Sequence, residues 1–181
     1  MKKIKHLKVI TQKDIFPNME VSQEPLTKRT TGKALVFGHE GMVALVGSSN
    51  NSIYILPGGG IEDGEEIESG IIREIKEETG CTIKIELMLG LIEDHRNRDQ
   101  KHYFNYCVVG KLVGEKQSPR LTAEEEKNGL HVRWHSLENA YTILKDEYTM
   151  VQRGEIQYYN TAYNVIRDLE FIKEYMSQNK I

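Results

Sequence analysis

An α/β (α+β) fold built in layers is what this sequence predicts, on three observations. Short apolar runs with strand character are interspersed with a few helical patterns rather than grouped apart from them. Ile67, Ile71 and Ile75 recur at helical spacing, and so do Ala162, Ile166, Leu169, Ile172 and Met176; each stripe needs an apolar surface to cover it. The chain's 181 residues suffice for one domain with a sizeable core and a small terminal addition.

The elements follow in order. Residues 1–31 carry Pro17 and Pro25 with little periodicity, so they read as an N-terminal extension with one edge strand around Leu7 to Thr11 packed on the domain. The domain proper is assigned to residues 32–181. Strands at Lys33 to Phe37 and Met42 to Val46, joined by the turn Gly38 to Gly41, read as a hairpin. The polar run SSNNS is a loop, and Ile53 to Leu56 is a short strand leading into Pro57-Gly58-Gly59-Gly60. After a helix through Ile67–Ile75, strands are expected at Thr82 to Ile92 and His102 to Val113, with a loop at Asp94 to Lys101. Leu130 to Trp134 is a further strand. Ser136 is placed to cap a helix over Leu137 to Leu144, and a last helix spans about Ile156 to Ser177.

The helix after the glycine turn carries the chemistry. It ends in Glu74, Glu77 and Glu78, and residues three and four apart on a helix are neighbours. At about 100° per residue, Glu74 and Glu78 fall on either side of the direction of Ile67, over the apolar stripe. Carboxylates gathered there repel one another and are costly to desolvate unless a cation compensates them. Three of them call for a hard ion with a taste for oxygen, Mg²⁺ or Mn²⁺. A solvated acidic helix end is the plainer reading of an EExxEE-like run. The interrupted apolar face and the preceding glycines favour the metal.

The local residues have separable tasks. The run Leu56 to Gly60 lets the backbone turn sharply and approach a phosphate or metal without side-chain obstruction. Arg73, four residues before Glu77, is placed to brace the acidic cluster. Glu65 stands where it can bond loop amides near the helix start. Gly80 reads as the helix stop. Gly70 in mid-helix costs about 1 kcal/mol relative to alanine, which points either to close packing there or to a neutral, drifted position.

Gly59, Glu65, Arg73, Glu74, Ile75, Glu77, Glu78 and Gly80 stand at the spacing of the Nudix box, so the chain resembles the Nudix hydrolase superfamily, MutT-like. Cys81 departs from the aliphatic residue expected last, a small change because cysteine buries readily. The resemblance implies an α/β/α sandwich around a mixed sheet. It also implies hydrolysis of a nucleoside diphosphate linked to another moiety, with Mg²⁺ (or Mn²⁺) held by Glu74, Glu77, Glu78 and the Gly58 carbonyl. Glu126, ahead of Trp134, matches the place of a loop glutamate that serves as general base in relatives, with Glu125 second and Glu74 a further candidate. A helix-starting acidic turn is the alternative for Glu125 and Glu126. Gly59, Gly60, Lys33 and Arg96 are the expected substrate contacts. Arg98, Lys101 and His102 share the loop of Arg96, where an exposed charged hairpin is the competing reading. Tyr103, Phe104 and Tyr106 offer a stacking face or, more simply, strand packing, and Trp134 reads as packing.

Composition narrows the partners. A net charge of −3 without a basic stripe argues against nucleic acid. Lys2, Lys3, Lys5 and Lys8 precede no long apolar segment, so they read as a solvated face rather than a secretion signal, and no run is long enough to span a membrane. Cys81 and Cys107 have no ligand spacing and read as buried thiols in a reducing cytoplasm. A small nucleotide is therefore the expected partner, and a homodimer is compatible with it. Among substrates, a nucleoside triphosphate, oxidised ones included, is preferred. The proline of ADP-ribose-cleaving relatives is missing, since the first proline after Gly80 is Pro119. No tyrosine of the dinucleoside-polyphosphate kind lies near Asp99, and the SQPWPFPxS signature of the NADH-cleaving group is absent. ADP-ribose or sugar nucleotides, and a non-catalytic nucleotide-sensing module, are the alternatives.

Overall fold

The computed structural model describes residues 4–50, 52–156 and 158–181. Lys2 and Lys3 therefore lie outside the described residues, as does Asn51 of the SSNNS loop. Its strands are β1 (His6–Thr11), β2 (Thr27–Phe37), β3 (Val43–Ser48), β4 (Tyr54–Ile55), β5 (Ile83–Arg96), β6 (Lys101–Leu112) and β7 (Leu130–His135). The helices are α1 (Gln12–Ile15), α2 (Ile67–Thr79), α3 (Ala123–Lys127), α4 (Leu137–Gln152) and α5 (Tyr159–Asn179). The seven strands form one mixed sheet in the order β1-β5-β6-β2-β3-β4, with β7 paired to β3. The β1/β5 and β2/β6 pairs are parallel and the others antiparallel.

Helices cover both faces. One core cluster joins Leu35, Leu45, Ile92 and Cys107 of the sheet to Leu144, Ala162, Tyr163 and Leu169 of α4 and α5. The other joins Ala34, Val36, Ala44 and Val108 to Ile71 and Ile75 of α2. This is the layered sandwich expected. The stripe of α5 is buried at Ala162, Ile166, Leu169 and Ile172 and half-buried at Met176, and Ile67 of α2 is half-buried. Cys81 and Cys107 are free and fully buried. No helix among the described residues is long and apolar enough to cross a membrane.

Several boundaries differ from expectation, each for a tertiary reason. β2 begins at Thr27 because it pairs in parallel with β6 from Thr27↔Lys101 onward, so the division between residues 31 and 32 falls inside a strand. The β2/β3 hairpin is reduced to the single pair Phe37↔Val43, and β3 finds its main partner in β7. β5 continues through Asp94, His95 and Arg96, leaving only a short turn at Asn97–Asp99 where a longer loop was expected. α4 runs eight residues past Leu144, although Lys145-Asp146-Glu147 looks like a polar stop. Glu147 turns inward instead, accepting the Tyr54 amide at 2.7 Å, and Val151 is buried one turn later.

Buried charge lies under the sheet on the α5 side. Arg167 pairs with Asp168 at 2.7 Å, and Arg96 pairs with Asp94 at 2.7 Å. Asn164 accepts from both guanidinium groups, each at 3.0 Å. Asp168 also accepts the Leu56 amide at 2.9 Å, so α5 grips the backbone just before the glycine turn.

Candidate active site

The glycine turn is fastened on three sides. The Gly32 amide donates to the Gly59 carbonyl at 2.9 Å and the Ala34 amide to the Pro57 carbonyl at 3.1 Å, binding the turn to β2. From α2, Glu78 Oε2 accepts the Gly58 amide at 2.6 Å. From β2, the Lys33 ammonium donates to the Leu56 carbonyl at 3.2 Å and, more closely, to the Gly58 carbonyl. Gly58 has φ 126, and a Cβ there would lie 2.2 Å from the Gly32 carbonyl oxygen, so only glycine fits.

Arg73 organises the acids. Its Nε and Nη2 donate to the two oxygens of Glu65 at 3.0 and 2.8 Å. Nη2 also reaches the Gly60 carbonyl at 2.9 Å, while Nη1 reaches Glu74 at 2.7 Å and Glu77 at 3.2 Å. The Arg73 bonds, aided by the Glu62 amide, hold the Glu65 carboxyl down at about 2. Gly70 is explained by the same knot, since a Cβ there would meet Ile61 at 2.7 Å and Glu65 at 2.8 Å. Gly80 ends α2 in the left-handed conformation, φ 70, as a helix stop does.

Arg73 ties Glu74 to Glu77, while Glu78 turns to the Gly58 amide. Among the described residues, the three carboxylates do not converge to within 4.8 Å of one another. A Cβ at Gly59 would lie 2.2 Å from Glu74 Oε2, so glycine keeps the space against that carboxylate open. Glu78 is the most perturbed of the three carboxylates. Burial pushes its carboxyl up to about 7, against the pull of Lys33 and the Gly58 amide, while Glu125 and Glu74 raise it further. Burial likewise lowers Lys33, followed by Arg167.

The other named residues are placed as follows. Glu125 is half-buried and its charge bears on Glu78, whereas Glu126 is exposed. Glu125 also caps α3, accepting the Thr122 amide at 2.7 Å and hydroxyl at 2.8 Å, so the helix-starting role is real. Lys33 is buried and directed at backbone carbonyls rather than open to a ligand. Arg96 is a correction: it is not on an exposed loop but 4% exposed on β5, committed to Asp94, Asn160 and Asn164 and stacked over Tyr103 and Tyr163. Its neighbours are engaged as well, Arg98 over Tyr159, Lys101 with Thr27 and His102 with Glu93. Trp134 packs against Gly38.

Arg29 went unread in the sequence. It is exposed on β2, and its guanidinium lies 2.7 Å from where a Gly60 Cβ would be, so it stands over the glycine turn. Its spacing from Lys33, four residues along one strand face, was the available signal. Outside Arg73, a hollow of about 280 Å³ is lined by Lys76, Glu77, Gln117, Ser118 and Arg120. The 117–120 backbone forms its wall, with the Gln117 amide donating to Gly80 at 2.9 Å and the Arg120 amide to Glu77 at 2.7 Å.

The model of the NUDIX domain matches residues 27–157. The chain is 28% identical over 132 residues to diphosphoinositol polyphosphate phosphohydrolase 3-alpha of Mus musculus, covering 71% of this chain and 77% of that protein. It is 32% identical over 75 residues to the ADP-ribose pyrophosphatase of Methanocaldococcus jannaschii, covering 40% and 44%. Among solved structures, a MutT protein from Methanosarcina mazei Go1 shares the fold with TM-score 0.52 and 21% identity, over 75% of this chain and 99% of that one.

Proposed function

The chain belongs to the Nudix superfamily, and from that premise we propose that it is a Mg²⁺-dependent pyrophosphohydrolase cleaving a nucleoside diphosphate linked to another moiety, with a nucleoside triphosphate or related small nucleotide as substrate. The observation that carries this reading is the junction of Glu74, Glu77 and Glu78 with the glycine turn through Arg73 and the Gly58 amide. The three glutamates and the Gly58 carbonyl would hold Mg²⁺, or Mn²⁺ in its place. Such an ion, when bound, neutralises phosphate charge and makes water a better nucleophile at neutral pH.

The chain's own residues supply the rest. Arg73 holds two of the three glutamates by charge-assisted bonds, so they are positioned before substrate arrives. Glu78 fixes the amide of Gly58, and the turn thereby presents backbone rather than side chains to the diphosphate. Arg29 supplies a positive charge beside Gly60 for a phosphate oxygen. For the proton of the attacking water, Glu125 is preferred to Glu126, because its charge reaches the acidic cluster. Glu74 is the other candidate.

A second reading, a small molecule bearing several phosphates, is favoured by the hollow that brings Lys76 and Arg120 beside Arg73 and by the name of the Mus musculus relative. Incubation with Mg²⁺ and a panel of nucleoside triphosphates, ADP-ribose, a UDP-sugar and a diphosphoinositol polyphosphate, with products resolved by chromatography, tests both. Release of pyrophosphate and a nucleoside monophosphate supports the first reading. Exclusive cleavage of the inositol compound selects the second, and no turnover of any compound overturns the enzymatic proposal.

A further inference from the structure

Glu93 and His95 project from one face of β5, two residues apart, opposite the face that sends Asp94 and Arg96 into the core. His102 on β6 is directly across from His95 in the strand register. One donor atom from each of Glu93, His95 and His102 lies within 4.8 Å of the other two. All three are half-buried, which leaves one side of the cluster open to solvent. A carboxylate and two imidazoles are not a set that Mg²⁺ selects. They suit Zn²⁺ and its neighbours among the transition metals.

The hydrogen bonding leaves capacity for an ion. Glu93 accepts from His102 Nε2 at 2.6 Å through Oε2, while Oε1 faces His6 Nε2 of β1 at 2.9 Å. Neither ring nitrogen of His95 has a hydrogen-bond partner among the described residues, and its ring stands edge-on to His102 with centroids 4.4 Å apart. Donors around an ion with bonds of about 2.1 Å stand roughly 3.4 Å apart, inside the 4.8 Å that bounds these atoms.

We infer that Glu93, His95 and His102 form a second metal site, selective for Zn²⁺ over Mg²⁺, with its fourth position open to water. His6 acts from the neighbouring strand as a positioning residue, holding Oε1 of Glu93 so that Oε2 is presented to the ion. The site pins β5 to β6 and, through His6, the edge strand β1 to both. It shares no residue with the carboxylates of α2, and it stands whether or not those carboxylates support hydrolysis.

Titration of the metal-free protein with Zn²⁺ in excess Mg²⁺, followed by calorimetry, tests this, with Co²⁺ as an absorbing substitute. The wild type is expected to bind one Zn²⁺ saturably, and its Co²⁺ form to show the visible bands of a nitrogen-ligated, low-coordinate ion. Glu77→Gln, altered only in α2, should behave identically. His95→Ala and His102→Ala should lose this binding, and His6→Ala should weaken it by about tenfold. His95→Gln, checked for an unchanged circular dichroism spectrum, guards against mistaking misfolding for lost ligation. Absence of saturable Zn²⁺ binding by the wild type would overturn the inference. So would folded His95→Ala and His95→Gln proteins that bind Zn²⁺ as tightly as the wild type, or loss of the Co²⁺ bands in Glu77→Gln alone.

Discussion

Glu78 and Gly58 are twenty residues apart in the chain and 2.6 Å apart in the fold, carboxylate oxygen to amide nitrogen. That bond joins the acidic end of α2 to the glycine turn and separates two roles that the three glutamates would otherwise appear to share. The Glu77 side chain is 46% exposed and, among the described residues, bonded only to Arg73, whereas Glu78 anchors backbone.

Glu77→Gln should therefore lower kcat/KM for the cleaved phosphoanhydride at least about 100-fold, roughly 3 kcal/mol of transition-state stabilisation. Stability should change by no more than about 0.5 kcal/mol, since an exposed helical pair contributes little. Glu78→Gln should be as inactive, yet no less stable in metal-free buffer, because the amide oxygen still accepts from Gly58 and a charge penalised by burial is gone. Steady-state kinetics beside urea unfolding checks both; an active, folded Glu77→Gln protein would count against the assignment.

Glu125 and Glu126 make a paired test of the base. If Glu125 takes the proton, Glu125→Gln should lower kcat by about 100-fold or more while KM stays near wild type. Glu126→Gln, exposed and remote from Glu78 electrostatically, should keep kcat within about twofold. Gln retains an oxygen for the Thr122 cap, so α3 should persist by circular dichroism. Retention of kcat in both variants would point to Glu74 instead.

Gly58 and Gly64 both have positive φ, 126 and 81, but only Gly58 is crowded. Gly58→Ala adds a methyl 2.2 Å from the Gly32 carbonyl oxygen and should cost about 3 kcal/mol or more, with activity lost as the turn shifts. Gly64→Ala meets nothing within 4 Å and should cost about 1 kcal/mol with activity retained. Thermal unfolding of the two variants, read beside their turnover, decides the comparison.

Glu147 predicts an unusual pH dependence. Burial, opposed by the Tyr54 amide bond and reinforced by the charges of Asp168 and Asp146, brings its carboxyl from 4.5 up to about 8, and its Oε2 has no partner among the described residues. The folded state thus binds this proton more tightly than the unfolded one. The stabilisation is complete below the unfolded value and is lost as pH rises through the folded value. Between about pH 4.5 and pH 8 the group should subtract up to about 1.4 kcal/mol of stability per pH unit. Glu147→Gln should remove that slope and be the more stable protein above about pH 8. Urea midpoints of wild type and variant across this range check the sign; parallel curves would refute it.

How much of this was legible in the chain follows from how far apart the partners are. The acidic run on α2 is contiguous, so helical spacing alone sets Glu74 and Glu77 within reach of Arg73. The stripe of α5 shows for the same reason. Arg29 and Lys33 face the glycine turn only because β2 pairs with that turn, Gly32 to Gly59 and Ala34 to Pro57, across more than twenty positions of chain. Arg96 reads as a loop cation until Asp94, Asn160 and Asn164 are seen to enclose it. Glu147 reads as solvated because nothing local reveals that the Tyr54 amide needs an acceptor. Local periodicity announces stripes; it says nothing of polar groups whose partners arrive from elsewhere.

The grip of Asp168 on the Leu56 amide has a temporal consequence. Synthesis runs from the N-terminus, so the acidic helix and the glycine-rich bend leave the ribosome long before Asp168 does. Until α5 emerges and docks, the backbone ahead of that bend lacks one of its anchors, and a nascent chain should hold its carboxylates without the fixed geometry that chemistry at them requires. The bend would then take its final geometry only once α5 has left the ribosome and docked.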